Sequence, residues 1–205
     1  MKKFSILFVG LILCSLLKVN AQVTFAPKVG VNFANLGGDL TDNQIRLRTQ
    51  FGAILNVGVN EMFSFQPGLL LSGKGTTLDY GDGDKDAVTL TYLEIPLNGI
   101  LNIDLGTGKL QLFAGPYLGF CLGAKYKYLS DEDNETESID VGTSDDDEIK
   151  PTDVGINIGV GFMFGDFQIQ GGYGGSFTSI SNYEDDKLTN SVISLSFAYF
   201  INLNK

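Results

Sequence analysis

Residues 154–177 read Val-Gly-Ile-Asn-Ile-Gly-Val-Gly-Phe-Met-Phe-Gly-Asp-Phe-Gln-Ile-Gln-Gly-Gly-Tyr-Gly-Gly-Ser-Phe, and their alternation decides the fold. In the first arm a large apolar residue recurs at every second position, which is the period of a β-strand with two unlike faces. Gly165-Asp166 suits a two-residue hairpin turn, because both positions tolerate a positive φ. The stretch therefore predicts one antiparallel hairpin whose apolar face continues from the first arm into the second.

The opposite face of this hairpin is small and neutral, and it holds glycine, asparagine, glutamine and serine. From Val154 to Ile180 the one charged residue is Asp166, in the turn. A strand face in contact with bulk water normally carries lysine and glutamate, which keep it soluble and block edge pairing. The pattern instead predicts lipid on the apolar side and a narrow, hydrogen-bonding interior on the other side.

The N-terminal residues have the features of a secretory signal peptide, predicted to span 1–21. Lys2 and Lys3 precede an apolar segment, Phe4–Leu17, that is too short to cross a bilayer comfortably, and Val19-Asn20-Ala21 is an acceptable cleavage site. The predicted mature chain, 22–205, forms one domain. It is more acidic than the full chain, whose net charge is −10, because the signal contains three lysines and no acid. Such a chain is a poor nucleic-acid binder, so no nucleic-acid partner is expected.

Seven connections between strands can be recognised along the chain, the hairpin turn included, and they alternate between long and short. Period-two segments and turn signals predict eight strands, at residues 25–36, 49–59, 63–78, 87–103, 110–128, 154–164, 167–177 and 191–203. Each is long enough for a tilted membrane crossing. The fold class expected is all-β, an eight-stranded antiparallel up-and-down transmembrane β-barrel. In outer-membrane barrels the short turns face the periplasm, so both termini are predicted to be periplasmic and the four long loops extracellular.

Several short motifs along the mature chain point to one family. They are Lys28–Asn32, Tyr92–Leu97, Ala114–Gly119, Asp153–Ile156 leading into Gly159, and the last strand, 190–200. With these motifs the chain resembles the outer-membrane β-barrel domain of Bacteroidetes, the PorT-like group often labelled "porin family". The resemblance covers nearly the whole mature chain and implies a small barrel of the cell outer membrane, in contact with its lipid. It supplies no substrate.

Two acidic clusters fall in predicted loops. Residues 131–148 contain ten acidic residues and no base, and Asp82, Asp84 and Asp86 lie in a shorter loop. One interpretation is divalent-cation binding at the cell surface; the other is a solvated, mobile loop, since blocks of like charge are usually disordered. An EF-hand is excluded, because Ala87 occupies the glycine position and Leu93 the position of the final acid.

Three charged residues are predicted to face the barrel interior. The alternation of each strand turns Lys28, Lys74 and Glu94 inward, and a carboxylate in a narrow barrel must be paired or neutralised. One interpretation is a polar network that fills the lumen; the other is a path for ions or small solutes. Eight strands enclose room for side chains or one small ligand, so a wide pore is not expected.

No enzymatic activity and no cofactor are predicted. The chain has no histidine, which removes the Ser-His-Asp and Cys-His nucleophile arrangements and the usual zinc sites. Three functions remain: a non-enzymatic barrel with a structural, adhesion or narrow-channel role; an accessory subunit of an envelope machine of the secretion type that binds envelope proteins through its acidic loops; and a soluble calycin-like carrier. The carrier would reverse the two faces, with the bulky apolar residues inside.

Overall fold

The computed structural model describes residues 23–40, 43–80, 85–129, 135–144, 146–183 and 186–202. Within these residues eleven strands form one antiparallel sheet, and eight of them close it into a ring. The strands are β1 Val23–Gly38, β2 Asn43–Gln44, β3 Arg46–Gly58, β4 Phe63–Asp79, β5 Lys85–Asp104, β6 Lys109–Leu129, β7 Thr136–Ile139, β8 Thr152–Phe164, β9 Phe167–Ser176, β10 Leu188–Tyr199 and β11 Ile201–Asn202. The predicted up-and-down barrel is confirmed.

The ring closes between its first and last strands. β1 pairs with β3 on one side and with β10 on the other, and Val29 lies opposite both Phe51 and Phe197. The short strand β11 continues this closure, because Thr24 pairs with Asn202. Both ends of the described chain therefore lie at the end of the barrel that carries the short connections between β3 and β4, β5 and β6, and β8 and β9.

The outer surface of the barrel carries the large apolar side chains. Ile158 is 56% exposed, whereas Gln168 on the inner surface is 1% exposed. We call the exposed outward rows the apolar belt; its members include Val29, Phe33, Phe51, Leu55, Leu69, Leu97, Leu112, Leu118, Ile156, Ile158, Val160, Ile169, Ile193, Leu195 and Phe197. The reversed arrangement required by a calycin-like carrier is therefore wrong: the amides are buried and the apolar rows face outward.

The hairpin of β8 and β9 has the predicted turn. Phe164 pairs with Phe167 across Gly165-Asp166, and Gly165 has a φ of 57°. The Phe164 and Phe167 rings lie 5.6 Å apart, and the Phe167 ring lies 5.0 Å from that of Tyr199 on β10. This aromatic cluster lies at the short-connection end, and outer-membrane barrels carry aromatic girdles at both membrane interfaces.

Glycines on the inner surface make room for aromatic rings from the neighbouring strand. A Cβ atom on Gly159 would lie 2.5 Å from Cζ of Phe113, and one on Gly155 would lie 2.5 Å from Cε1 of Tyr117. Such contacts are too short for any side chain, so the glycines of β8 are required by packing. The small inner face seen in the sequence thus reflects a lumen filled by Phe113 and Tyr117.

The long acidic loop is more ordered than predicted. β7 pairs with β6, Val141 forms a bridge with Ile149, and Ile149 forms another with Ser181 of the loop between β9 and β10. Ile149 and Ile180 are buried against the end of the barrel. Residues 135–144 and 146–151 therefore contact the barrel, while acids such as Glu135, Glu137 and Asp140 stay exposed to solvent. The cause of this order is the few apolar residues within the acidic run, Ile139, Val141 and Ile149, which pack against the end of the barrel.

Among the described residues, no helix has the length and apolar character needed to cross a membrane.

Candidate functional site: the lumen and its outer mouth

A buried ion cluster lies inside the barrel. The Lys74 ammonium is 2.9 Å from Oε2 of Glu94 and 3.1 Å from Oδ2 of Asp153, and all three side chains are almost completely buried. The same ammonium lies over two tyrosine rings, 4.2 Å from the centroid of Tyr117 and 5.0 Å from that of Tyr92. One cation thus joins two carboxylates in a water-poor interior, where an unpaired charge would be costly.

Hydrogen bonds from three more strands complete the surroundings of Asp153. Its carboxylate accepts hydrogen bonds from Ser176 Oγ at 2.6 Å, from Asn190 Nδ2 at 2.9 Å and from the Tyr117 hydroxyl at 3.2 Å. Together with Lys74, these donors satisfy both carboxylate oxygens. The cluster therefore ties β4, β5, β6, β8, β9 and β10 together across the lumen.

The strand register explains which carboxylates meet. Glu94 pairs with Gly119, and Gly119 pairs with Asp153, so the two acids lie in one row on either side of a glycine. Two strand spacings separate them along the sheet, about 10 Å. A long lysine side chain from the neighbouring strand can bridge such a gap.

Lys28, the third charged residue predicted to face inward, does not join this cluster. Its ammonium donates a hydrogen bond to Oε1 of Gln170 at 2.9 Å. The structure thus brings Lys74 and Glu94 together and places Lys28 on a neutral amide. Sequence reasoning missed Asp153 as a member of the cluster. The sequence could have indicated it, because Asp153 lies two residues before the inward Gly155 and therefore on the same face of β8.

The central cavity of the lumen is small. It has a volume of about 50 Å³ and is lined by Lys28, Asn32, Lys74, Glu94, Asn98, Tyr117 and Gln170 among others. Among the described side chains, Asn32 Oδ1, Asn98 Oδ1 and Gln170 Nε2 have no hydrogen-bond partner although they are buried. A polar cavity of this size holds a few water molecules, which would satisfy such atoms.

Toward the short-connection end, amides and apolar side chains separate the central cavity from an open vestibule. A chain of hydrogen bonds runs from Gln168 to Gln111 at 2.6 Å, from Gln111 to Asn102 at 2.8 Å and from Asn102 to Ser64 at 3.0 Å. A buried apolar cluster lies beside it, formed by Ala26, Ile54, Leu70, Ala198 and Phe200. The vestibule below has a volume of about 490 Å³.

At the opposite end, which we call the outer mouth, a second apolar cluster closes the barrel. It comprises Leu36, Leu90, Tyr92, Ala124, Ile149 and Ile180, with Cys121 packed against it. Ile149 and Ile180 come from the two longest loops, so these loops cover the lumen. We call this cluster the cap. The lumen is therefore blocked at three levels: by the cap, by the ion cluster, and by the layer of amides and apolar side chains above the vestibule.

The predicted cation candidates are not assembled into a site. Asp82 and Asp84 lie outside the described residues, and Asp86 accepts a hydrogen bond from the Tyr126 hydroxyl. Tyr126 lies beyond the apolar belt, and its burial together with this hydrogen bond raises the pKa of its hydroxyl. In the part of the chain that the structure describes, no three acidic or cysteine side chains converge as metal ligands would.

Comparison with known proteins gives a family and a set of similar folds. The family model described as "Outer membrane protein beta-barrel domain" matches residues 20–203. Ail, the attachment invasion locus protein of Yersinia pestis, solved with the heparin analogue sucrose octasulfate, is 11% identical, with 88% of this chain and 99% of Ail covered and a TM-score of 0.45. Neisserial surface protein A is 10% identical, with 85% and 96% covered and a TM-score of 0.45. No curated protein matches the chain.

Proposed function

Because the chain belongs to the outer membrane protein beta-barrel domain family, we propose that it is a closed, non-enzymatic barrel that acts through its outer loop surface. It is an outer-membrane protein, and its apolar belt contacts lipid. The observation that carries the proposal is the filled lumen, whose central cavity has a volume of about 50 Å³. Of the roles considered from the sequence, a structural or adhesion role fits this interior, and a narrow channel does not.

The orientation is part of the proposal. We place both termini and the vestibule in the periplasm, and the outer mouth with its acidic loops outside the cell. The support is the general rule that short turns of outer-membrane barrels face the periplasm. We also propose that residues 1–21 are a cleaved signal and that 22–205 form the barrel domain, on the composition of the N-terminus. The motifs at Lys28–Asn32 and Tyr92–Leu97 support assignment to the PorT-like branch.

A second candidate function is an accessory subunit of an envelope machine. The observation that favours it is a loop held on the barrel by β7 while its acids Glu135, Glu137 and Asp140 stay exposed, which makes a pre-organised acidic surface. Recovery of a stoichiometric partner with the tagged protein would favour this candidate over the first. We also propose that the exposed acids of this loop attract divalent cations.

We predict no channel activity for the purified protein. In planar bilayers it should give no discrete current steps, because the cap, the ion cluster and the apolar layer each interrupt a water path. Insertion is checked separately by the change in gel mobility that folded barrels show before heating. Discrete steps whose amplitude changes in a Lys28→Met variant would contradict the proposal, since that dependence would show a path along the lumen.

A further inference from the structure

The outer mouth contains a pocket that lies apart from the ion cluster and rests on the cap. It has a volume of about 310 Å³ and lies between the loops and the inner wall of the barrel. Its apolar walls come from Leu40, Val88, Ile139 and Leu188, and its floor is the buried cap at Leu36 and Ile149. This size lies at the lower end of the range for small-molecule sites, which are concave and mostly apolar.

The rim of this pocket, which we call the outer-mouth pocket, is acidic. Asp39, Glu148 and Asp186 line it together with one base, Lys187. Among the described residues no hydrogen-bond or ion-pair partner is seen for the carboxylates of Glu148 and Asp186, and both residues are exposed. Asp39 accepts one hydrogen bond, from the backbone N–H of Lys187, at 2.7 Å. The rim thus presents more negative than positive charge to whatever enters.

Two tyrosines also line this pocket. Tyr126 is held by its hydrogen bond to Asp86, and Tyr183 is half exposed, with its backbone N–H bonded to Ser181 Oγ. Aromatic faces attract ammonium groups, and this attraction adds to that of nearby carboxylates. An apolar pocket that acids and aromatic residues also line is complementary to a ligand with a hydrophobic body and a cationic end.

We infer that the outer-mouth pocket binds a small amphipathic cation, an alkyl or aryl group that carries an ammonium. The apolar body fills the space above Leu36 and Ile149, and the ammonium lies at Glu148 and Asp186. This inference rests on the proposed function, because it supplies a ligand class for the outer loop surface. Its chemistry does not depend on whether the lumen conducts.

The test uses the full barrel in lipid nanodiscs and three probes that share one apolar body. These are 4-phenylbutylamine, 4-phenylbutanol and 4-phenylbutyrate, titrated in a calorimeter against the protein and against protein-free nanodiscs. We expect saturable binding of the amine, about tenfold or more tighter than that of the alcohol, and none of the carboxylate. Equal affinity for amine and alcohol, or amine uptake matched by empty nanodiscs, would overturn the inference.

Variants separate the two halves of the pocket. Glu148→Gln with Asp186→Asn should weaken amine binding about tenfold, to the level of the alcohol, while Val88→Trp should abolish binding of both by filling the space. Glu61→Gln, an exposed acid in the short turn after β3, is the matched control and should change nothing. Unchanged amine affinity in the double variant would contradict the site. Current steps that change in the Lys28→Met variant would instead refute the closed barrel and leave this result standing.

Discussion

Replacing Lys74 by methionine is expected to lower the free energy of unfolding by about 3–5 kcal/mol, because it removes one partner of a buried ion cluster and leaves the others uncompensated. Methionine preserves most of the side-chain volume, so the loss reports the charge. Glu94 and Asp153 would then face each other across Gly119 with no cation between them. The measurement is a urea titration of the protein folded into phospholipid vesicles.

An exposed ion pair provides the matched control. Lys85 lies 2.9 Å from Asp79 near the outer mouth, with 46% of its side chain exposed. Lys85→Met should cost less than about 1 kcal/mol, as exposed pairs do. A triple variant, Lys74→Met with Glu94→Gln and Asp153→Asn, should regain much of the loss because no charge remains in the cluster. Equal small effects at Lys74 and Lys85 would show that the cluster does not stabilise the barrel.

Ile158→Arg is expected to destabilise the folded protein by about 2–4 kcal/mol, the cost of an arginine on the lipid face near the bilayer midplane. Ile158 lies halfway along β8, and its side chain is exposed on the outer surface. In water the same substitution on an exposed strand position would be nearly neutral. The measurement is again a urea titration in vesicles, compared with the unsubstituted barrel.

The same change at the end of a strand is the control for depth. Ile103 is also exposed and lies beside the short connection between β5 and β6, at the expected membrane interface. Ile103→Arg should cost about 0–1 kcal/mol. If both positions respond alike, the apolar belt is not centred on the bilayer as we describe it.

The fold was predictable because each strand carries its own information. A period of two assigns every residue to a face, and the alternation of long and short connections then leaves one simple barrel topology. The same reasoning turned Lys74 and Glu94 inward, where the structure has them. These features depend on local sequence, so no knowledge of distant contacts was needed.

The pairing inside the lumen was not predictable in the same way. The alternation of each strand assigns Lys28, Lys74 and Glu94 to the inner face. It does not give their positions along the barrel axis, because these depend on the register between strands. In the observed register Lys74 on β4 reaches Asp153 on β8 across β5 and β6, whereas Lys28 donates a hydrogen bond to Gln170. The docked acidic loop was missed for a related reason: its anchors, Ile139, Val141 and Ile149, are scattered among acids, and their partners on the barrel wall and in the loop between β9 and β10 are distant in sequence.

Which side of each strand meets hydrocarbon can be measured directly with nitroxide labels on β8. With Cys121 replaced by alanine, labels at Ile158 and Val160 should collide frequently with lipid-soluble oxygen and rarely with a water-soluble nickel complex. Labels at Asn157 and Met163 should show low oxygen collision rates, because their side chains lie inside the barrel. High oxygen collision rates at positions 157 and 163, together with low rates at 158 and 160, would contradict a barrel whose apolar belt contacts lipid.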